Sequence, residues 1–180
     1  VLALQTSVEK YIYREQEEDL ESARRHIWAL QDLIRRGREE TRSPQRRQKM
    51  NEIEDIAGVF VRKFNNIVVR VTSLNENIAT LFVRGKAIER RLYELVLQHT
   101  KKPELFTAAL ANLTAFISCQ ADTSFFLLHN DASQAARIAQ VLKRMSEDME
   151  SFPEMSSLRN DVENFQGDFE GVAAIALKMK

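Results

Sequence analysis

The chain has 180 residues with 26 Lys plus Arg against 26 Asp plus Glu, and the resulting net charge of zero argues against a general nucleic-acid footprint. Five Gly and three Pro are too few for a loop-rich or all-β protein, and 44% hydrophobic with 29% charged residues fits amphipathic helices packed together. A single cysteine, Cys119, excludes an intrachain disulfide framework and a multi-cysteine zinc site.

The first segment, Leu2 to about Tyr13, reads as a helix ending at the charged stretch Glu15-Gln16-Glu17-Glu18-Asp19. A second helix carries Leu20, Ala23, Ile27, Leu30 and Ile34 on one face and is expected to stop in the polar segment from Gly37 to Pro44. Arg14, Arg24 and Arg25 read as solvated or salt-bridged side chains, and Trp28 as a residue flanking the core.

A long helix follows, over residues 46–101. Thirteen positions from Ile53 to Leu95 hold an unbroken alternating three-four spacing of apolar or small residues: Ile53, Ala57, Phe60, Phe64, Ile67, Val71, Leu74, Ile78, Leu81, Gly85, Ile88, Leu92 and Leu95. A 3.5-residue period keeps one seam of a helix against partner helices. At 1.5 Å per residue, roughly 50 helical residues predict a rod of about 75 Å. Lys101 and Lys102 suit its C-terminus, where the backbone dipole favours cations. Arg46, Arg47 and Lys49 sit at its N-terminus, where the dipole opposes them.

The next helix, from about Glu104, is assigned a core stripe of Phe106, Ala109, Leu113, Phe116, Gln120, Thr123 and Leu127. His129-Asn130-Asp131 breaks it, with Asp131 placed to N-cap a helix through Ala135, Ile138, Leu142, Met145 and Met149. Ser151-Phe152-Pro153 ends that helix, and a last one uses Leu158, Val162, Phe165, Phe169, Val172, Ala176 and Met179. A weak internal repeat aligns Phe60 and Phe64 with Phe165 and Phe169. No stretch alternates with period two. The expected fold is all-α: an elongated antiparallel helical bundle of two stacked modules, about 1–75 and 76–180, sharing the long helix. The chain starts without Met and is periodic to its end, so it is expected to be a piece of a longer protein.

Catalytic motifs are missing from the pattern. His26, His99 and His129 have no metal-ligand spacing, no glycine loop of a nucleotide site is present, and Cys119 has no nearby histidine. The reading is a non-enzyme with no metal and no cofactor. The long helix does carry one chemically distinctive edge. With Ala57 and Phe60 on the seam, one flank holds Lys63, Arg70, Asn77, Arg84 and Arg91, while the other is mostly apolar through Val61, Val68, Phe82 and Val96. Such flanking positions commonly make interhelical ion pairs. A cationic ladder beside a core can also hold a small organic anion. The polar turns Gln120 and Thr123 in the next helix can supply orienting groups, or a hydrogen-bonded layer that sets register. The candidate ligand-binding residues are therefore Lys63, Arg70, Asn77, Arg84, Gln120 and Thr123.

The segments Phe125-Phe126-Leu127-Leu128-His129-Asn130-Asp131-Ala132 and Tyr11-Ile12-Tyr13-Arg14 carry a family resemblance. An aromatic-Leu-Leu, polar, Asp signature before an amphipathic helix resembles bacterial extracytoplasmic helical sensor domains. The two-module layout is similar to the helical bimodular ligand-binding domain of chemoreceptors (methyl-accepting chemotaxis proteins), with the four-helix-bundle chemoreceptor sensor as near relative. The resemblance implies a periplasmic domain between two transmembrane helices that lie outside this sequence. It also implies a small ligand, often a carboxylic acid, held among helices. Separately, dimerisation along the long helix's seam is the alternative packing, and a homodimer is expected. Two features depart from the pattern. The first helix is short, and His129-Asn130 stands where a small residue and glycine are usual, so no ligand residue is carried over from the family. The competing expectation is a cytosolic helical interaction or tethering protein, spectrin-like, that needs no small ligand.

Overall fold

The computed structural model describes residues 2–14 and 16–178, with the side chains of residues 12–14 left aside. The side chains of Ile12, Tyr13 and Arg14, and Met179 of the last apolar stripe, lie outside the described residues. Among the described residues the regular structure is all helical: α1 (Leu2–Arg14), α2 (Glu17–Glu40), α3 (Pro44–Gln98), α4 (Pro103–His129), α5 (Ala132–Glu150) and α6 (Ser156–Ala176), with a 3₁₀ turn at Pro153–Met155 before α6. The chain is an all-α helical bundle. No helix among the described residues is long and apolar enough to cross a membrane.

The chain divides into two compact units, Val1–Thr72 and Ser73–Lys180, and α3 contributes its first part to one and its second part to the other. The sequence reading divides instead after residue 75.

The unit from Ser73 onward holds four helical segments: the second part of α3, then α4, α5 and α6. Its connections are short, which makes consecutive helices antiparallel neighbours. Ion pairs give the same directions. Arg84 meets Asp168 and Arg91 meets Asp161, so rising numbers on α3 match falling numbers on α6. Ser146 and Glu150 of α5 meet Glu163 and Arg159 of α6 in the same antiparallel sense. The Ser146 hydroxyl, and then the Arg159 guanidinium, hold the Glu163 carboxyl below the usual carboxylate range. Alternate helices α4 and α6 run parallel across the bundle. Phe116 packs edge-on against Phe165 with ring centroids 5.2 Å apart, and Phe126 against Phe169 at 5.6 Å. These rings are nearly inaccessible, and burying each stabilises the bundle by about 1.5–3 kcal/mol.

The helix boundaries follow local chemistry. Asn130 takes the left-handed conformation (φ 51°, ψ 48°) and its N–H donates to the Phe126 carbonyl, which closes α4. Asp131 then N-caps α5, accepting from the Ser133 N–H at 2.8 Å, as its position predicts. Lys102 precedes α4 rather than closing α3; its Nζ lies 2.9 Å from Glu154 Oε1.

Two expectations are corrected. First, Gly37 is not itself a breaker: α2 runs through it to Glu40 and ends inside the polar segment expected to stop it, leaving Thr41–Ser43 as the break. A β-carbon at Gly37 would meet only the flexible end of the Met50 side chain, Cε at 2.7 Å. Second, the core stripe of α4 is Leu105, Ala109, Asn112, Leu113, Phe116, Cys119, Thr123 and Phe126. Phe106, Gln120 and Leu127, assigned to that stripe from sequence, are only half-buried at its border. The helix is apolar nearly all round, so periodicity cannot select one face.

The unit up to Thr72 holds three helical segments among the described residues: α1, α2 and the first part of α3. Tyr11 of α1 packs edge-on against Phe64 of α3 at 6.1 Å. Arg38 of α2 reaches Glu54 of α3 at 2.8 Å. Between α1 and α2, Ser7 Oγ donates to the Ala3 carbonyl and lies 3.0 Å from His26 Nδ1 and 3.2 Å from Ser22 Oγ. With its proton committed to the backbone, Ser7 acts as an acceptor that ties the two helices together.

Candidate functional site

The cationic edge of α3 has two different surroundings. In the second unit it is answered by the chain itself. Arg84 Nη1 donates to Asp168 Oδ2 at 2.5 Å, and Arg91 donates to Asp161 and to Ser157 Oγ. Asn77 and Thr80 border a hollow of about 180 Å³ beside Gly167, Asp168 and Gly171. Arg84 borders another of about 290 Å³ with Asp161 and Asn164. A free carboxylate entering here meets Asp161 and Asp168, two like charges, and must displace an intramolecular partner whose effective concentration is high.

The polar pair of α4 is likewise occupied. Gln120 Nε2 donates to the Gly85 carbonyl and to Glu89 Oε2, each at 3.2 Å. Thr123 is 1% exposed and its Oγ1 donates to the Cys119 carbonyl one turn back. Both groups satisfy neighbours within the bundle. Cys119 is buried in the same stripe, and burial pushes its thiol up to about 12. A thiol in that state is a small apolar core group and not a nucleophile at neutral pH.

Lys63 and Arg70 belong to the first unit, where both are exposed. Neither makes an ion pair with any described residue. The six candidates therefore do not converge on one pocket. Lys63 and Arg70 are in one unit, without an ion pair to any described residue, and Asn77, Arg84, Gln120 and Thr123 are in the other.

The feature that spacing did not single out is an apolar groove in the first unit, about 510 Å³, between α1, α2 and α3. Leu4 and Val8 of α1, Leu30 and Ile34 of α2, and Ile56 and Phe60 of α3 are among the residues that line it. Gln5 and Glu9 are its polar rim on α1. The groove interrupts the burial of the thirteen-residue stripe. Leu74, Leu81, Ile88 and Leu92 are at most 8% exposed, whereas Ile53 and Phe60 on the same stripe are 46% and 37% exposed. Ile56, at 70%, and Val59, at 44%, extend the open surface. The cause is helix number. In the second unit α6 covers the Arg84–Arg91 edge of α3, and no described helix does so for the Ile56–Arg70 edge. The sequence signal was present in Ile56 and Val59, two apolar residues just off the seam on the flank that is otherwise polar. Trp28 of α2 is also 70% exposed and is not the core-flanking residue expected.

No family model matches the chain. No curated protein and no solved structure matches it either.

Proposed function

We propose that this chain is a helical interaction module, and that the groove of its first unit takes up the apolar face of a partner helix. The observation that carries this reading is the open stripe around Ile56 and Phe60. A contiguous apolar surface of this kind, rimmed by polar groups, is characteristic of an interaction site. Three helices flanking an unfilled groove suit the helix-in-groove mode, in which a partner inserts side chains at i, i+3, i+4 and i+7.

A second reading keeps the periplasmic sensor of a small organic acid, in a chemoreceptor-like protein anchored by membrane helices outside this sequence. Its support is the pair Lys63 and Arg70, exposed cations without a carboxylate partner among the described residues. Seven residues separate them, about 10 Å along the helix axis, which is too far for one carboxylate to bridge. Such a ligand would have to be a long diacid or bind at one cation only, so this reading ranks second.

One titration separates the two. An environment-sensitive apolar dye should gain fluorescence on the full chain and lose most of that gain in Ile56→Asp. The absence of a gain, or one that Ile56→Asp leaves unchanged, counts against the groove. Millimolar carboxylic acids should leave the thermal midpoint unmoved. An acid that raises it in the parent chain but not in Lys63→Ala or Arg70→Ala would favour the sensor instead.

A further inference from the structure

The first unit carries one half of an electrostatic pattern that the second unit carries complete. On α3 the positions seven apart from Ile56 are Lys49 before it and Lys63 and Arg70 after it. All three cations are exposed, and none is ion-paired with a described residue. Further along the same edge are Arg84 and Arg91, again seven apart. There α6 supplies Asp168 and Asp161, themselves seven apart, beside an apolar seam of Leu158, Val162, Phe165, Phe169 and Val172. The second unit thus shows what this edge accepts: an antiparallel amphipathic helix with carboxylates at heptad spacing on one flank.

We infer that the groove's partner is an acidic amphipathic helix of another protein, which lays its apolar seam on Ile56 and Phe60 and sets carboxylates one heptad apart against Lys63 and Arg70. This rests on the groove reading above and adds the partner's charge pattern. The opposite wall gives the orientation. Glu9 of α1, held by Gln5 at 3.0 Å, repels acids from that side, so the partner's carboxylates face α3. Lys63 is one turn beyond Phe60 on the same helix surface, where apolar contact and ion pair are made by one docked helix. The expected ion pairs lie at the rim and remain screened by salt, so they select the partner more than they tighten the complex.

The test uses the full chain and three labelled peptides. The first has the sequence Ser156–Ala176 of α6, the second carries Asp161→Asn with Asp168→Asn, and the third carries Asp161→Lys with Asp168→Lys. The first should bind, and the second should bind at least about fivefold more weakly at low salt. A chain with Lys63→Glu and Arg70→Glu should lose about tenfold for the first peptide and gain binding of the third. These substitutions are on exposed residues, and circular dichroism of each variant is the control that the helices are retained. Ile56→Asp should abolish binding of all three. If the second peptide binds as well as the first, the acidic partner is overturned while the groove stands. Absence of binding by any peptide overturns the groove as a helix site, as does binding unchanged in Ile56→Asp. A concentration-dependent dimer of the chain that Ile56→Asp dissociates overturns the proposal too, because a second copy then fills the groove.

Discussion

Gly85 is small because side chains of α4 and α6 come close to it, whereas Gly37 faces only the flexible end of the Met50 side chain. A β-carbon at Gly85 would sit 3.2 Å from Phe165 Cε2 and 3.5 Å from Gln120 Cδ, and one at Gly37 only 2.7 Å from Met50 Cε. Neither has the positive φ that makes glycine a conformational necessity. Gly85 lies on the heptad seam, so its helical position is legible in sequence, but Gly37 reads as a helix breaker although α2 continues through it to Glu40. Gln120 and Thr123 are similar. Their polarity is visible in the chain, while the acceptors that consume it, Gly85, Glu89 and Cys119, are known only from packing. Cys119 supplies the prediction at this scale. With 2% exposure and a thiol pushed up to about 12, it should resist a maleimide at pH 8 in the native chain and react promptly in denaturant. Fast native labelling would show that the α4 stripe opens.

Among the helices, α5 is the one whose start is most completely written in local sequence. Asn130 adopts the left-handed geometry that closes α4, and the Asp131 carboxylate receives both the Ser133 N–H and hydroxyl at 2.8 Å. Asp131→Ala should therefore cost about 1 kcal/mol in denaturant unfolding, and Asp131→Asn much less, since asparagine caps nearly as well. Equal losses would mean that the charge, and not the cap, is what stabilises α5. The contrast is α4. Only Glu104 and Asp122 are acidic in its 27 residues and it has no Lys or Arg, so the Leu105–Phe126 stripe and the Phe106–Leu127 stripe are equally apolar in sequence. What selects between them is the partner surface: Phe165 and Phe169 of α6 receive Phe116 and Phe126.

At the scale of the whole molecule, the two units bury separate cores. One apolar cluster runs from Leu74 to Ala176, while Leu4, Tyr11, Leu20, Ala23, Ile27, Phe64 and Val71 are buried outside it. Phe64→Ala removes the ring that Tyr11 packs on, and should destabilise the first unit by about 3–5 kcal/mol. Amide exchange should quicken across α1, α2 and the first turns of α3, with protection of α4, α5 and α6 retained. Uniform loss of protection across all six helices would show that the long helix couples the cores into one cooperative system.

By itself the sequence determined that the chain is helical, that breaks fall near Pro103, Asn130 and Ser151, although α3 ends at Gln98 and not at Lys101, and that one long helix carries a seam with two unlike flanks. Those features depend on neighbours within a few residues, through spacing, capping and breakers, so they survive in a linear reading. The tertiary structure alone decided which side chains are already answered. Arg84 is matched by an aspartate 84 residues away and Arg91 by one 70 residues away, while Lys63 and Arg70 meet no described carboxylate. Among the described residues, four packed helices close the stripe in one unit, while three bury Ala57, Phe64 and Val71 in the other but leave Ile53 and Phe60 open. The same heptad pattern therefore becomes core in one unit and a candidate binding surface in the other, because burial depends on how many helices surround it, which spacing along one helix does not encode.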